Sequence, residues 1–136
     1  MPETTNTLLT AVTELESATF RAGQVARRLL AEHPHLTVRN VSAGLYASAF
    51  LDGERSSSAR LDVRADGLEA ARAWAEALGV EPQSEWTDGG IYVFESARCT
   101  ATVDGVLIEV SGSRALPPEE AANWRAAGDQ GESGED

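Results

Sequence analysis

The chain contains no lysine, a single cysteine and a single methionine, and only 6% of its residues are aromatic. All eleven basic residues are arginines, and they face 22 acidic ones, so the formal net charge is -11. Nucleic acids and anionic membranes are bound through clusters of cations. The charge balance therefore disfavours binding to either of them through a basic patch, and it favours a basic or neutral protein partner.

The single cysteine limits the chemistry of the chain further. Cys99 cannot form an intramolecular disulfide or a zinc site that needs several cysteines, and this cysteine usage is typical of a cytoplasmic protein. His33 and His35 flank Pro34 at a predicted helix end, and no pattern makes either one a partner of Cys99. We therefore predict no catalytic residue, no metal site and no cofactor, with Cys99 as a structural residue on the dry face of a strand.

Long hydrophobic runs are also missing. No apolar stretch approaches the roughly 18 residues of a membrane span, and the first nine residues are acidic and polar rather than basic and apolar. The sequence predicts no membrane contact and no signal peptide. A length of 136 residues fits one domain with its own core.

The strongest pattern in the chain is a predicted three-strand antiparallel meander from Gln83 to Gly112. Asp88-Gly89 and Asp104-Gly105 interrupt it, and an Asp-Gly pair between alternating runs is the best short-range signal of a hairpin. A two-residue turn at Asp104-Gly105 would place apolar pairs on one face and mostly polar pairs on the other. The predicted apolar pairs are Val103 with Val106, Ala101 with Ile108, and Cys99 with Val110; the outer pairs are Thr102 with Leu107, Thr100 with Glu109, and Arg98 with Ser111.

Two aromatic residues do not fit this alternation. Tyr92 and Phe94 fall out of phase with the buried set. We expect a β-bulge near residues 95–97 to redirect them, and the alternative is an apolar patch on the outer face.

Two helices are predicted before the meander. From Thr5 to Glu32 apolar residues recur at steps of three and four, which is the helical period, and the alternative is two helices that meet near Phe20. A second helix is predicted from Gly67 to Leu78, with a capping box formed by Asp66 and Glu69 and with Gly79 as its stop.

Between these helices we predict two strands, Leu45–Leu51 and Leu61–Arg64, joined by a mobile loop at residues 54–58. After the meander, Pro117-Pro118 precedes a short predicted helix, Glu119–Ala127. The glycine, serine and acidic residues from Asp129 onwards favour disorder.

These elements predict an α+β fold in which an antiparallel sheet of about five strands carries its helices on one face. The predicted order is αββαβββα. Residues 1–116 form a single domain in this prediction, residues 117–128 a short C-terminal helix, and residues 129–136 a disordered acidic tail.

One resemblance rests on two segments. The run Ala73-Trp74-Ala75-Glu76-Ala77-Leu78-Gly79, followed by a hairpin that ends in Thr102-Val103-Asp104-Gly105-Val106, resembles small uncharacterised actinobacterial proteins of plasmids and phage-like elements. The resemblance covers roughly residues 36–112. It implies an accessory role and transfers no catalytic or binding residue.

The function that these observations favour is a non-enzymatic protein-protein interaction or accessory module. The alternatives are an acidic inhibitor or immunity-type protein, which would mimic DNA or neutralise a basic protein, a small-molecule binding domain, and a hydrolase whose site the sequence does not reveal. A homodimer is a further open alternative, because a terminal amphipathic helix is easily shared between two copies. The candidate interaction residues are the aromatic and apolar side chains predicted near turns, on the outer face or beside the tail. They are Trp86, Tyr92, Phe94, Leu107 and Trp124.

Overall fold

The computed structural model describes the backbone of residues 2–135 and the side chains of residues 6–128. In this part of the chain three helices and five strands follow one another in the predicted order αββαβββα, so the α+β fold class is confirmed. The elements are α1 (Pro2–Glu32), β1 (Val38–Ala49), β2 (Arg55–Ala65), α2 (Leu68–Leu78), β3 (Gln83–Asp88), β4 (Val93–Val103), β5 (Val106–Ala115) and α3 (Pro118–Glu135).

The five strands form one sheet in the order β1-β2-β5-β4-β3. Three of the four neighbouring pairs are antiparallel, whereas β2 and β5 run parallel, from Ala59 opposite Val106 to Arg64 opposite Ser111. The parallel pair was not predicted. It arises because α2, β3 and β4 lie between β2 and β5 along the chain, so β5 re-enters beside β2 in the same direction.

The predicted hairpin register between β4 and β5 is confirmed residue by residue. Val103 lies opposite Val106, Ala101 opposite Ile108, and Cys99 opposite Val110. The inner sides of β2, β4 and β5 form the main core together with α1 and α2. Val106, Ile108 and Val110 are fully buried there, and Cys99 is buried beside them.

Close packing of α2 onto the sheet depends on Gly112 in β5. A methyl group at this position would collide with the carbonyl oxygen of Gly67 and lie 2.8 Å from Cβ of Ala71. Glycine therefore lets the first turn of α2 approach the strand, and Trp74 is buried one turn further along, where its indole N–H donates a 3.3 Å hydrogen bond to the carbonyl of Thr37.

The bulge that we expected near residues 95–97 is absent from β4. Its pairing with β5 runs without interruption from Phe94 to Val103. Phe94 is on the outer face as a result, because Val93 and Glu95 on either side of it point inward and are buried. The alternative, an apolar patch on the outer face, is what the structure shows for Phe94.

The long N-terminal helix is continuous and does not divide near Phe20. The hydroxyl of Thr19 donates to the carbonyl of Leu15, and Arg21 donates to the hydroxyl of Ser17, so polar side chains in the middle of α1 bond within the helix. Ala18 is fully buried against the rest of the protein. Tertiary packing thus holds a segment whose helix propensity is modest.

Two local predictions were wrong. Residues 55–58 are not a mobile loop, because β2 begins at Arg55 and pairs with β1 from that residue onwards. The capping box of α2 does not form either. Gly67 is the N-cap and no side chain caps it, since Asp66 lies near Arg39 and Glu69 pairs with Arg72. The helix does end as predicted at Gly79, which is left-handed at φ 72°.

The C-terminal helix is longer than predicted, because its backbone continues to Glu135. Ala121 packs with Val93 and Leu116 in a second, smaller core cluster. The tail prediction falls on residues 129–136, whose side chains lie outside the described residues, so it stays a prediction.

Candidate interaction surface

Two of the predicted interaction residues bind each other. Trp86 on β3 and Trp124 on α3 stack with ring centroids 6.0 Å apart and ring planes inclined by 22°. The guanidinium of Arg125 donates to both carboxylate oxygens of Asp88 at 2.8 and 2.9 Å, and also to the carbonyl of Gly90. This pair of contacts fastens α3 to the edge strand β3, and both indoles have an intramolecular partner.

The Asp88 carboxylate is held in its charged form at this contact. Hydrogen bonds from Arg125 and from the backbone N–H of Gly90 lower the pKa of Asp88 to about 2. The attachment of α3 therefore persists over the neutral and mildly acidic range.

The other predicted interaction residues do not form one surface. Tyr92 and Phe94 lie 6.2 Å apart, measured between ring centroids, at the beginning of β4. Leu107 also lies on the outer face, but it pairs with Thr102 at the opposite end of β4. Eight residues of extended strand between Phe94 and Thr102 correspond to about 27 Å. The outer face thus carries two small and separate apolar spots.

A much larger apolar surface lies at the other side of the molecule. We name it the α1–β1 surface and define it by apolar side chains of α1, of β1 and of the turn after β1, all of which are exposed. They are Leu8, Val12, Leu15, Leu30, Val38, Val41, Leu45, Phe50 and Leu51. Exposed apolar surface of this extent usually marks a site of protein interaction.

Helix α1 contributes to this surface because it has two apolar stripes where the sequence suggested one. Ala18, Ala22, Val25 and Leu29 form the buried stripe. Leu8, Val12, Leu15 and Leu30 belong to a stripe that is displaced by one residue, which is a rotation of about 100° around the helix. Both stripes follow steps of three and four, so the hydrophobic period alone could not separate them.

Strand β1 lies at the edge of the sheet and contributes its inward-facing side chains to the α1–β1 surface. It has a neighbour only on the β2 side, and Val41 and Leu45 point toward the helical face but remain 52% and 39% exposed. Near the C-terminal end of α1, a groove of about 190 Å³ joins the helix to this strand, with Leu30, His33, Val38 and Val41 among its lining residues. The helix and the strand therefore share an apolar groove at this end of α1.

The two edges of the sheet differ in how they are protected. Soluble proteins commonly guard exposed edges with short strands, charges or proline. Strand β3 is six residues long and contains Glu85 and Asp88, whereas β1 is twelve residues long and contains Arg39 as its sole charged residue and no proline. Of the two edges, β1 therefore has less of this protection than β3.

A buried carboxylate ties the helices to the sheet on the opposite side of the core. Glu95 is 7% exposed and accepts from Arg72 on α2 at 3.1 Å and from Arg114 on β5 at 2.9 Å. Arg114 also reaches Glu120 on α3 at 3.4 Å. These groups are mutually paired, so the arrangement joins α2, β4, β5 and α3.

The remaining reactive side chains lie apart from these contacts. Burial raises the pKa of the Cys99 thiol, which agrees with its predicted structural position. The rings of His33 and His35 are 6.3 Å apart, and among residues with described side chains no group of three or more His, Cys, Asp and Glu is placed to hold a metal ion.

Comparisons with known proteins do not assign the chain to a family. No protein-family model matches it, and no curated protein sequence is detectably similar to it. Within the described residues, none of the helices combines the length and the apolar character needed to cross a membrane. The functional argument therefore depends on the geometry of the surfaces.

Proposed function

We propose that this protein is a non-enzymatic protein-interaction module and that its α1–β1 surface binds a second copy of the chain. The observation that carries the proposal is the long, almost uncharged edge strand β1 beside an exposed apolar stripe of α1. Edge strands recruit other strands through main-chain hydrogen bonds, and adjacent apolar side chains add affinity and specificity.

A second copy is the occupant that fits both parts of this surface. A partner must offer a strand for β1 and, on the same face of the sheet, an apolar helix for the exposed stripe of α1. The chain itself has this combination. A two-fold axis beside β1 would place β1 against β1 of the second copy and the exposed stripe of α1 against the same stripe of the second copy. A strand of twelve residues and a helix of 31 residues span about 40 and 46 Å, enough for the roughly 800 Å² per partner of a stable interface.

The dimer leaves the outer faces of both sheets open to further protein partners. The net charge of -11 per chain favours basic partners for them. A cytoplasmic location and an accessory role, such as the resemblance implies, belong to the same proposal. The free and buried Cys99 supports the location.

The alternative functions find weaker support in the geometry. The apolar groove of about 190 Å³ is smaller than the roughly 300–1,000 Å³ of typical small-molecule sites, so it suits a side chain of a protein partner better. An acidic mimic of DNA needs free carboxylates along one face, whereas Asp62 and Glu109 on the outer face are both paired with Arg60.

The test is the mass of the full chain in solution by light scattering and sedimentation. We expect 2 × 14.4 = 28.8 kDa at micromolar concentration. Leu30→Glu and Leu45→Lys should each shift the chain toward 14.4 kDa, because they place a charge in the helical and strand parts of the interface.

The matched control for Leu30→Glu is Ile91→Glu, which adds the same charge at an apolar side chain that is 83% exposed in the turn before β4. It should leave the mass unchanged. A single-chain mass at all concentrations, or a dimer that resists both interface variants, would contradict the proposal. Circular dichroism of every variant shows whether the fold is retained.

A further inference from the structure

A second surface feature lies where β2 leaves the sheet. Pairing between β2 and β5 stops at Arg64 and Ser111, and β5 continues to Ala115 with a strand neighbour only on the β4 side. The chain meanwhile turns at Gly67 into α2. A groove of about 220 Å³ opens in this gap, and we name it the arginine groove.

The polar side chains of the arginine groove are of two kinds, arginine and serine, and no carboxylate of residues 6–128 lines it. This composition is unusual in a chain that has twice as many acidic as basic residues. The lining polar residues are Arg39, Arg64, Ser96, Arg98, Ser111 and Ser113.

The three arginines come from three different strands and are only weakly neutralised. Arg39 is the extra residue at the irregularity between Val38 and Asn40, and a bulge of this kind redirects a side chain. Its guanidinium is 3.6 Å from Asp66, and that of Arg98 is 3.6 Å from Glu109. No ion pair or hydrogen bond is described for Arg64 with any residue whose side chain the structure describes.

A neighbouring arginine, in contrast, is closely paired with two carboxylates. Arg60 holds Asp62 at 2.7–3.0 Å and Glu109 at 2.9 Å on the same outer face. It therefore occupies the two nearest carboxylates of β2 and β5. The charge of Arg64 therefore remains available to a ligand, and Arg98 shares Glu109 with Arg60 at the longer distance of 3.6 Å.

The end of α2 adds to the positive potential. Gly67 lines the groove and is the N-cap of this eleven-residue helix, without a side-chain cap. The free N–H groups of a first helical turn carry partial positive charge and favour anions. Arginine and serine side chains and the residue that begins α2 thus line the same space.

We propose that the arginine groove binds the phosphate group of a small ligand. A tetrahedral dianion offers several oxygens to guanidinium groups that approach from β1, β2 and β4, and arginine is the side chain best suited to paired hydrogen bonds with such an anion. The hydroxyls of Ser96, Ser111 and Ser113 can donate to oxygens that the arginines leave free. This inference is independent of the proposed homodimer.

A phosphate group is smaller than the arginine groove and would fill only part of it. An adjoining depression of about 370 Å³ shares Arg64, Arg98 and Ser111 with the groove and extends along the outer face to Asn40 and Ser42, and the paired carboxylates of Asp62 and Glu109 also line it. The remainder of a small phosphomonoester would lie there. A ligand of this kind should therefore bind more tightly than free phosphate.

The experiment titrates the full chain with inorganic phosphate and, separately, with phosphoserine, at low ionic strength in a phosphate-free buffer. Backbone amide NMR shifts and calorimetry give the dissociation constants. Arg64→Gln and Arg98→Gln should each weaken binding roughly tenfold, because each removes a charge-assisted contact. The control Arg27→Gln removes an exposed α1 arginine with no described partner, and it should change neither constant.

Two outcomes support the inference and differ in the source of the anion. Tighter binding of phosphoserine identifies a phosphomonoester ligand, and equal constants identify the free anion. In both cases the amide shifts should centre on Gly67 and Ser111. The inference is overturned if neither compound binds saturably up to about 20 mM. It is also overturned if Arg27→Gln weakens binding as much as the groove variants do, since binding would then reflect overall charge.

Discussion

Strands β5 and β1 have similar lengths and belong to one sheet, but their inner faces have different surroundings. In β5, Val106, Ile108 and Val110 are fully buried, because strands flank it on both sides and α2 covers it. In β1, Val41 and Leu45 stay substantially exposed, because one side is open and α1 places its exposed stripe there. Similar side chains thus form a core in one strand and an available surface in the other.

The sharpest way to test this contrast is to make the same substitution in both strands. Gly112→Ala in β5 should lower the free energy of unfolding by about 3 kcal/mol, because the new methyl group collides with Gly67 and Ala71 and α2 must move away. Chemical denaturation measures the loss.

The comparison variant in β1 is Gly44→Ala, which lies opposite Arg60 on the outer face of that strand. Its methyl group would meet only Cβ of Arg60, at 4.0 Å, and alanine costs less backbone entropy than glycine in a strand. Stability should rise by up to about 0.5 kcal/mol. Similar losses for both variants would show that α2 does not pack as closely on β5 as described.

A second comparison sets the buried carboxylate against an exposed one. Glu95→Gln should cost about 2 kcal/mol, because it weakens two charge-assisted hydrogen bonds at a site that water hardly reaches. Glu32→Gln removes an ion pair with Arg28 in which both side chains are about half exposed, and it should cost less than about 0.5 kcal/mol. Thermal unfolding at pH 7 measures both. Equal effects would mean that Glu95 is solvated in solution.

The smallest expected effect concerns the attachment of α3 to β3. The pKa of Asp88 is lowered from 3.8 to about 2, so its ionised form stabilises the folded chain above about pH 4, and this contribution is lost as the pH falls toward 2. Tryptophan fluorescence should report a change in the Trp86–Trp124 stack over that window. In Asp88→Asn the acid-dependent step should vanish, and its persistence would assign the step to another carboxyl group.

Local patterns predicted the β4–β5 hairpin well. Asp104 and Gly105 both adopt positive φ, at 49° and 80°, as a tight hairpin turn requires, and alternation then correctly assigned the side chains from Arg98 to Ser111 to a face. Gly79 ended α2 for a similarly local reason. Such features depend on neighbours in sequence, so the sequence contains the information directly.

The errors share a different origin. The polar run at residues 55–58 is typical of a loop, but it becomes a strand because β1 supplies its hydrogen-bond partners. The centre of α1 is weak in helix propensity, but burial of Ala18 keeps it helical. Trp86 and Trp124 are far apart in sequence, so no local pattern could indicate that they would stack.

The candidate surfaces illustrate the same limit. The twelve residues of β1, with Arg39 as their single charge, are visible in the sequence, but their position at the sheet edge depends on which strand pairs with β2 on its other side. The arginine groove collects residues from β1, β2, β4 and β5, and it exists because β2 stops before β5 does. Sequence analysis assigned Arg98 to the outer face but had no means of placing Arg39 and Arg64 beside it.

The sequence by itself determined the α+β class, the order of the elements, the Asp104-Gly105 turn and the inner and outer sides of the hairpin from Arg98 to Ser111, because periodicity and turn chemistry act over a few residues. Only the tertiary structure decided that β5 lies parallel to β2, that β1 is an open edge and that one stripe of α1 is buried while its neighbour is exposed. These outcomes depend on contacts between segments that are distant along the chain. Their energies reflect the packing of whole elements rather than the preference of any single residue.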